Sequence, residues 1–234
     1  MLRCNLPLPP TSLASALAHQ PSRKTLAIAH FGSCGLYAEK SSPHHSDARA
    51  LARSLRWFNH HLFAATATPT ALRPWLLAEG SLTRHLLRAS GGDFRVERVA
   101  QHWGRPTLSE ARLLKLDPNR WALIREVILW GRGEPWVYAR SVIPAASLRG
   151  DLRRLRRLRN TSLGALLFKY PQLQRTPFEL ARVNPTLLPP RVKTGTALWG
   201  RRSRFSVNGR SLIVGEIFLD ALINSPLLIQ YPPQ

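Results

Sequence analysis

Of 234 residues only two are cysteine, Cys4 and Cys34, and one is methionine. Two cysteines in one N-terminal stretch cannot build a disulfide scaffold or a multi-cysteine zinc site, so a reducing compartment is the default expectation. Acidic residues are also scarce: 13 stand against 34 Lys plus Arg, a formal net charge of +21. The only lysines are Lys24, Lys40, Lys115, Lys169 and Lys193, so the basic charge is mostly guanidinium. Such a surface gives the sign of a partner (nucleic acid, anionic lipid or anionic metabolite) without naming it. Arginine scattered along a whole chain equally reflects genomic base composition. Long apolar runs are missing too, since the stretch Leu212 to Ile223 is broken by Glu216 and Asp220, and a membrane-spanning helix needs roughly 18 uninterrupted apolar residues. There is no glycine-rich Walker or dinucleotide loop, no Gly-x-Ser-x-Gly elbow and no internal repeat. The pairs His44 with His45 and His60 with His61 are adjacent in sequence instead of four apart, so no metal is expected.

What is present is a composition that folds, with 44% hydrophobic and 20% charged residues. Residues 1–46, rich in Ser, Ala and Pro, read as a poorly ordered extension, 47–223 as the folded domain and 224–234 as a C-terminal tail. From Asp47 onward, Leu51, Leu55, Phe58 and Leu62 recur at helical spacing and predict a helix. Leu72 to Ala78 predicts a second, and Ser81 caps a third that runs to Ala89 before Gly91 and Gly92 stop it. Beyond Gly92 the period shortens. Phe94 to His102, Trp121 to Trp130, Trp136 to Ile143, Phe178 to Val183, Leu198 to Val207 and Ser211 to Leu219 are six strand candidates, rich in aromatic and β-branched residues. Asn208 and Gly209 form the pair that type I′ hairpin turns favour, and connections this short make the sheet mainly antiparallel. A helical insertion is predicted from Ser147 to Phe168. Within it, Asp151 to Arg159 has Leu at every third position among arginines, read as an amphipathic helix whose leucines cover the sheet, with attachment to phosphate or acidic lipid as the functional alternative. The fold class is α+β, built on a single six-stranded sheet.

Strand parity singles out two charges. Glu216 shares a row with Leu212, Val214 and Phe218, and Arg125 shares one with Leu123, Val127 and Leu129. A charge desolvated in such a row costs several kcal/mol unless an opposite charge, hydrogen bonds or a charged ligand compensates it. The structural solution is internal pairing. A two-residue turn at Asn208 and Gly209 places Arg201 opposite Glu216, and Arg125 has Glu97, Glu126 or a carbonyl as candidate partners. The functional solution is a pocket whose ligand supplies the missing charge.

Read as WALIREVILW at 121–130, GEPWVYARSVIP at 133–144, TSLGALLF at 161–168, LWGRRSRF at 198–205 and LIVGEIFL at 212–219, the chain resembles chorismate pyruvate-lyase over about Trp57 to Leu222. That resemblance implies a cofactor-free, cytoplasmic, monomeric lyase that converts chorismate to 4-hydroxybenzoate and pyruvate at the start of ubiquinone biosynthesis. It implies helical flaps that close an internal ligand cavity against the sheet, with slow release and product inhibition as consequences. It further implies that Arg125 holds the ring carboxylate and that Glu216 meets the opposite end, removing the C4 proton or binding the 4-hydroxyl. Leu82 and Leu163 would contribute main-chain contacts from two flaps; Leu82 stands where the family more often has Met, a change that a main-chain contact tolerates. One of Arg201, Arg202 and Arg204, with parity favouring Arg201, would steady the departing carboxylate. No specific nucleic-acid partner is expected, and peripheral contact with an anionic membrane stays open. The alternative is a non-catalytic small-molecule sensor domain of the same fold, which in bacterial regulators follows a winged helix-turn-helix. Residues 1–46 are too short and too poor in apolar periodicity to supply one.

Overall fold

The computed structural model describes residues 55–62, 68–192 and 197–233, and the extension expected at 1–46 lies outside them. One sheet dominates. Its strands are β1 (Phe58–Asn59), β2 (Phe94–Gly104), β3 (Ala122–Gly131), β4 (Glu134–Pro144), β5 (Gln174–Arg175), β6 (Glu179–Val183), β7 (Leu198–Val207) and β8 (Arg210–Phe218). Every pairing is antiparallel, in the order β1-β6-β7-β8-β4-β3-β2, and β5 also pairs with β7. The sheet is therefore eight-stranded where six strands were expected. The two additions, β1 and β5, are each two residues long, too short for alternation to register in a sequence.

The helix expected from Asp47 is corrected over the described residues. Phe58 and Asn59 pair with Leu180 and Glu179 in the sheet, and His60–Leu62 makes one 3-10 turn. Residues 47–54 lie outside the described residues. Pairing with a neighbouring strand here outweighs a local helical period.

The β7–β8 hairpin turns on Asn208 (φ 49°) and Gly209 (φ 75°), the left-handed pair a type I′ turn needs. The resulting register sets Val207 against Arg210 and Arg201 against Glu216. At the end of β3, a Cβ on Gly131 would lie 2.3 Å from the buried ring of Trp136, so the close approach of β3 and β4 there requires glycine.

Two helical flaps cover one face of the sheet. The first holds α1 (Arg73–Leu77) and α2 (Leu82–Ala89), whose Leu72, Trp75, Leu76, Leu82 and Leu86 pack on Val127, Leu129, Val137, Trp199 and Phe218. The opposite face is covered in part by α3 (Leu108–Leu114), which a Thr107–Glu110 capping box begins. The second flap comprises 3-10 helices at Ala145–Ser147 and Gly150–Arg157, followed by α4 (Leu163–Leu167). The predicted amphipathic helix is thus a 3-10 helix: three residues per turn align Leu152, Leu155 and Leu158 on one buried stripe and leave the arginines outside. Past residue 223, α6 (Leu227–Gln230), which follows α5 (Asp220–Ile223), buries Leu227 and Leu228 in the core of the first flap. Trp75 Nε1 donates to the Leu228 carbonyl at 2.9 Å. No helix among the described residues is long and apolar enough to cross a membrane.

Candidate active site

Alternation along the central strands sends Arg125, Val127 and Leu129 of β3, Ala139 and Ser141 of β4, Val214 and Glu216 of β8, and Arg201 of β7 to the face beneath the flaps. There they meet Leu82 and Thr83 of the first flap and Ser162, Leu163 and Gly164 of the second around a single cavity. Leu82, Arg125, Leu163, Arg201 and Glu216, widely separated in sequence, thus share one space. It is tight, because the centre of a water molecule can range over only about 30 Å³, the room of about two waters. A ring-sized ligand requires the flaps to move apart.

Arg125 is 1% exposed. Its Nη2 donates to the carbonyls of Arg159 (3.0 Å) and Thr161 (2.8 Å), and its Nε is buried without a partner. Burial, and secondarily the nearby Arg98, push its guanidinium down to about 10. No salt bridge reaches it among the described residues; the candidates Glu97 and Glu126 bond to other arginines.

Glu216 does have a partner. Its Oε2 accepts from Arg201 Nε at 2.7 Å. Arg201 Nη1 donates to the carbonyls of Trp75 (2.8 Å), Ala78 (3.0 Å) and Leu76 (3.4 Å), which end α1. This ion pair ties the first flap to the sheet and satisfies carbonyls that a helix C-terminus leaves open. Of the three arginines in the LWGRRSRF string, only Arg201 lines the cavity. Arg202 takes the opposite parity and donates to Glu179 Oε2 at 2.6 Å.

Leu82 and Leu163 each open a helix, so their N–H groups have no intrahelical acceptor. Beside Leu82, Ser81 Oγ is buried and unpartnered. Beside Leu163, Ser162 Oγ accepts from Ala165 N at 3.2 Å and also bonds Thr83 Oγ1, joining the two flaps over the cavity. Arg175 of β5 lines the same cavity, with Phe168 and Phe205. Sequence reasoning missed it, because two residues of strand carry no period to place them.

The other face of the sheet also buries charge, but there each cation meets carboxylates. Arg140 Nε donates to Glu110 Oε1 (2.9 Å) and Nη1 to Glu126 Oε1 (2.6 Å). Burial pushes the Glu110 carboxyl up, yet the charge and hydrogen bonds of Arg140 hold it below its ordinary value of 4.5. That network is closed, whereas the flap-covered face keeps Arg125 and Arg175 with N–H groups unspoken for. No cluster of three or more metal-ligating side chains occurs among the described residues.

A family model described as chorismate lyase matches residues 57–227. The protein named probable chorismate pyruvate-lyase from Methylococcus capsulatus is 43% identical over 159 residues, covering 66% of this chain and 98% of that one. Proteins of the same name from Pseudomonas aeruginosa (40% identical, 68% of this chain and 88% of that one) and Marinobacter nauticus (40%, 73% and 89%) are similar. Among solved structures, the effector domain of PhnF from Mycobacterium smegmatis is 16% identical, with a TM-score of 0.44 over 61% of this chain and 90% of that one. With the family model spanning most of the described residues and relatives matched along nearly their whole length, the chain belongs to the chorismate lyase family.

Proposed function

We propose that this protein cleaves chorismate to 4-hydroxybenzoate and pyruvate, the step that feeds a benzoate ring into ubiquinone biosynthesis. The observation that carries the reading is the shared cavity: an unpaired buried guanidinium, Arg125, and a carboxylate, Glu216, face one space beneath two helix N-termini. The reaction loses the C4 proton and breaks the ether bond at C3, and the electron pair of the C4–H bond completes the aromatic ring. Enolpyruvate leaves and takes a proton on its methylene carbon to become pyruvate. Aromatisation supplies the driving force, so the protein has to orient the ring and place charge.

Arg125 Nε offers the ring carboxylate a charge-assisted hydrogen bond that nothing else in the cavity takes up. The N–H groups of Leu82 and Leu163 add donors from the flaps. Glu216, held through Oε2 by Arg201, meets the C4 end, where it accepts the C4 proton or binds the 4-hydroxyl of the product. The tight cavity requires the flaps to open before the benzoate leaves, so release is slow and product inhibits. Incubating purified protein with chorismate, with pyruvate and 4-hydroxybenzoate detected separately, tests the reading. Equimolar appearance of both is expected, and absence of either product refutes it.

A further inference from the structure

We infer that Arg175 is the anchor for the second carboxylate of the substrate, the one carried by the departing three-carbon group. The inference rests on the chorismate reading of the same cavity and adds a residue to it. Among the described residues, two guanidinium groups have a buried N–H without a hydrogen-bond partner, Arg125 Nε and Arg175 Nη1, and both line this cavity. Two stranded cationic donors in one enclosed space call for a ligand with two negative groups, since an unpaired buried charge is costly. Chorismate is a dicarboxylate and its benzoate product a monocarboxylate. The second donor therefore distinguishes substrate from product.

The setting of Arg175 suits an anchor. Its place in β5, opposite Phe205 of β7, fixes the backbone. Nε donates to Ser203 Oγ at 3.1 Å, and the guanidinium lies 3.7 Å from the centre of the Phe178 ring and 5.0 Å from that of Phe205. Rings on a guanidinium hold its plane while leaving its edge for a carboxylate. Burial first, and then Arg201, push the group down to about 9 against the pull of Glu216 and Glu79, as expected of a cation short of a counter-charge. Arg201 is placed differently, with Nε and Nη1 already given to Glu216 and the end of α1.

Arg175 also stands at a wall. Together with Gly80 and Phe168 it lines both the inner cavity and an outer, more open cleft of about 570 Å³ that His60 and Glu79 border. A ring held by Arg125 and Glu216 carries its C3 substituent beside the Glu216 end, the end whose charge acts on Arg175. As the C3–O bond breaks, negative charge develops on the enolate oxygen beside this guanidinium, which stabilises it and faces the leaving group toward the outer cleft.

The test compares a two-carboxylate ligand with a one-carboxylate ligand. Calorimetric binding of 4-hydroxybenzoate and of 3-(carboxymethoxy)-4-hydroxybenzoate, the same ring with a second carboxylate at C3 and no C4 hydrogen to lose, is measured for the unaltered protein, Arg175→Gln and Arg175→Lys, with KM and kcat for chorismate followed alongside. Arg175→Gln is expected to weaken the dicarboxylate about 30-fold, the scale of one charge-assisted hydrogen bond, to leave 4-hydroxybenzoate within about 3-fold, and Arg175→Lys to recover part of the loss. Equal weakening of both ligands, or of neither, overturns the inference, and Arg175→Lys is judged by the same comparison should Arg175→Gln not fold. Failure of the unaltered protein to release pyruvate would refute the lyase reading alone, because the ligand comparison is read on binding.

Discussion

Arg125 and Arg140 are both buried arginines on neighbouring strands, yet their surroundings give them opposite consequences. Arg140 sits between Glu110 and Glu126, so Arg140→Ala leaves two carboxylates buried without a cation and should cost about 3–5 kcal/mol of stability, measured by denaturant unfolding. Arg125 has only carbonyl partners. Arg125→Ala should therefore leave the unfolding midpoint nearly unchanged while weakening 4-hydroxybenzoate about 10- to 100-fold by calorimetry. Glu216→Gln should reduce kcat by about 10²–10⁴ if the carboxylate accepts the C4 proton, and near-normal turnover would limit it to binding. The depressed Glu110 carboxyl has its own pH signature. Because the folded value lies below the ordinary value of 4.5, its contribution to stability is present above that value and is lost as pH falls through the folded value. Melting temperature should drop on acidification, and less so in Glu110→Gln. Arg125 and Glu216 were legible in the sequence because a strand period places a charge in an apolar row. Arg175 was not, since its recognition depends on a neighbouring strand, a serine and two rings brought together from Ser203, Phe178 and Phe205.

Among the elements, the two flaps act together through the Thr83–Ser162 hydrogen bond. Ser162 also caps α4 through Ala165 N, so Thr83 is the residue to change: Thr83→Val keeps the shape and removes only the tie between flaps. Dissociation of 4-hydroxybenzoate, followed by stopped flow, should quicken about 2- to 10-fold, the value of one neutral hydrogen bond, and product inhibition should relax in step. An unchanged release rate would mean that the Thr83–Ser162 bond does not hold the flaps shut. The strands of the sheet were readable because six of them are long enough to alternate, and the Asn208–Gly209 turn set the register that brings Arg201 to Glu216. The Gly150–Arg157 segment was readable as an amphipathic helix, and its leucine at every third residue is the period of the 3-10 helix it forms. Phe58 and Leu62 carried a helical spacing that the pairing of β1 with β6 overrode.

At the scale of the molecule, one sheet separates two kinds of interior. One face is electrostatically closed by Glu110, Arg140, Glu126 and the Arg202–Glu179 pair; the other, roofed by the two flaps, keeps unpartnered guanidinium donors beside a cavity. The strong positive charge of the chain contributed little to locating that ligand, because exposed arginines such as Arg153 and Arg157 outnumber the few that enclose the cavity. The roof is also moored at an unexpected place. The indole of Trp75, in the first flap, is held by the carbonyl of Leu228 in α6, and Leu227 and Leu228 complete the packing beneath it. A protein cut after Ile223 should keep its sheet, as judged by circular dichroism, while losing affinity for 4-hydroxybenzoate. With the indole N–H unsatisfied and a leucine pair gone, the first flap would lose one of its anchorages, and a handle fused to this end of the chain would strain the cover of the candidate cavity.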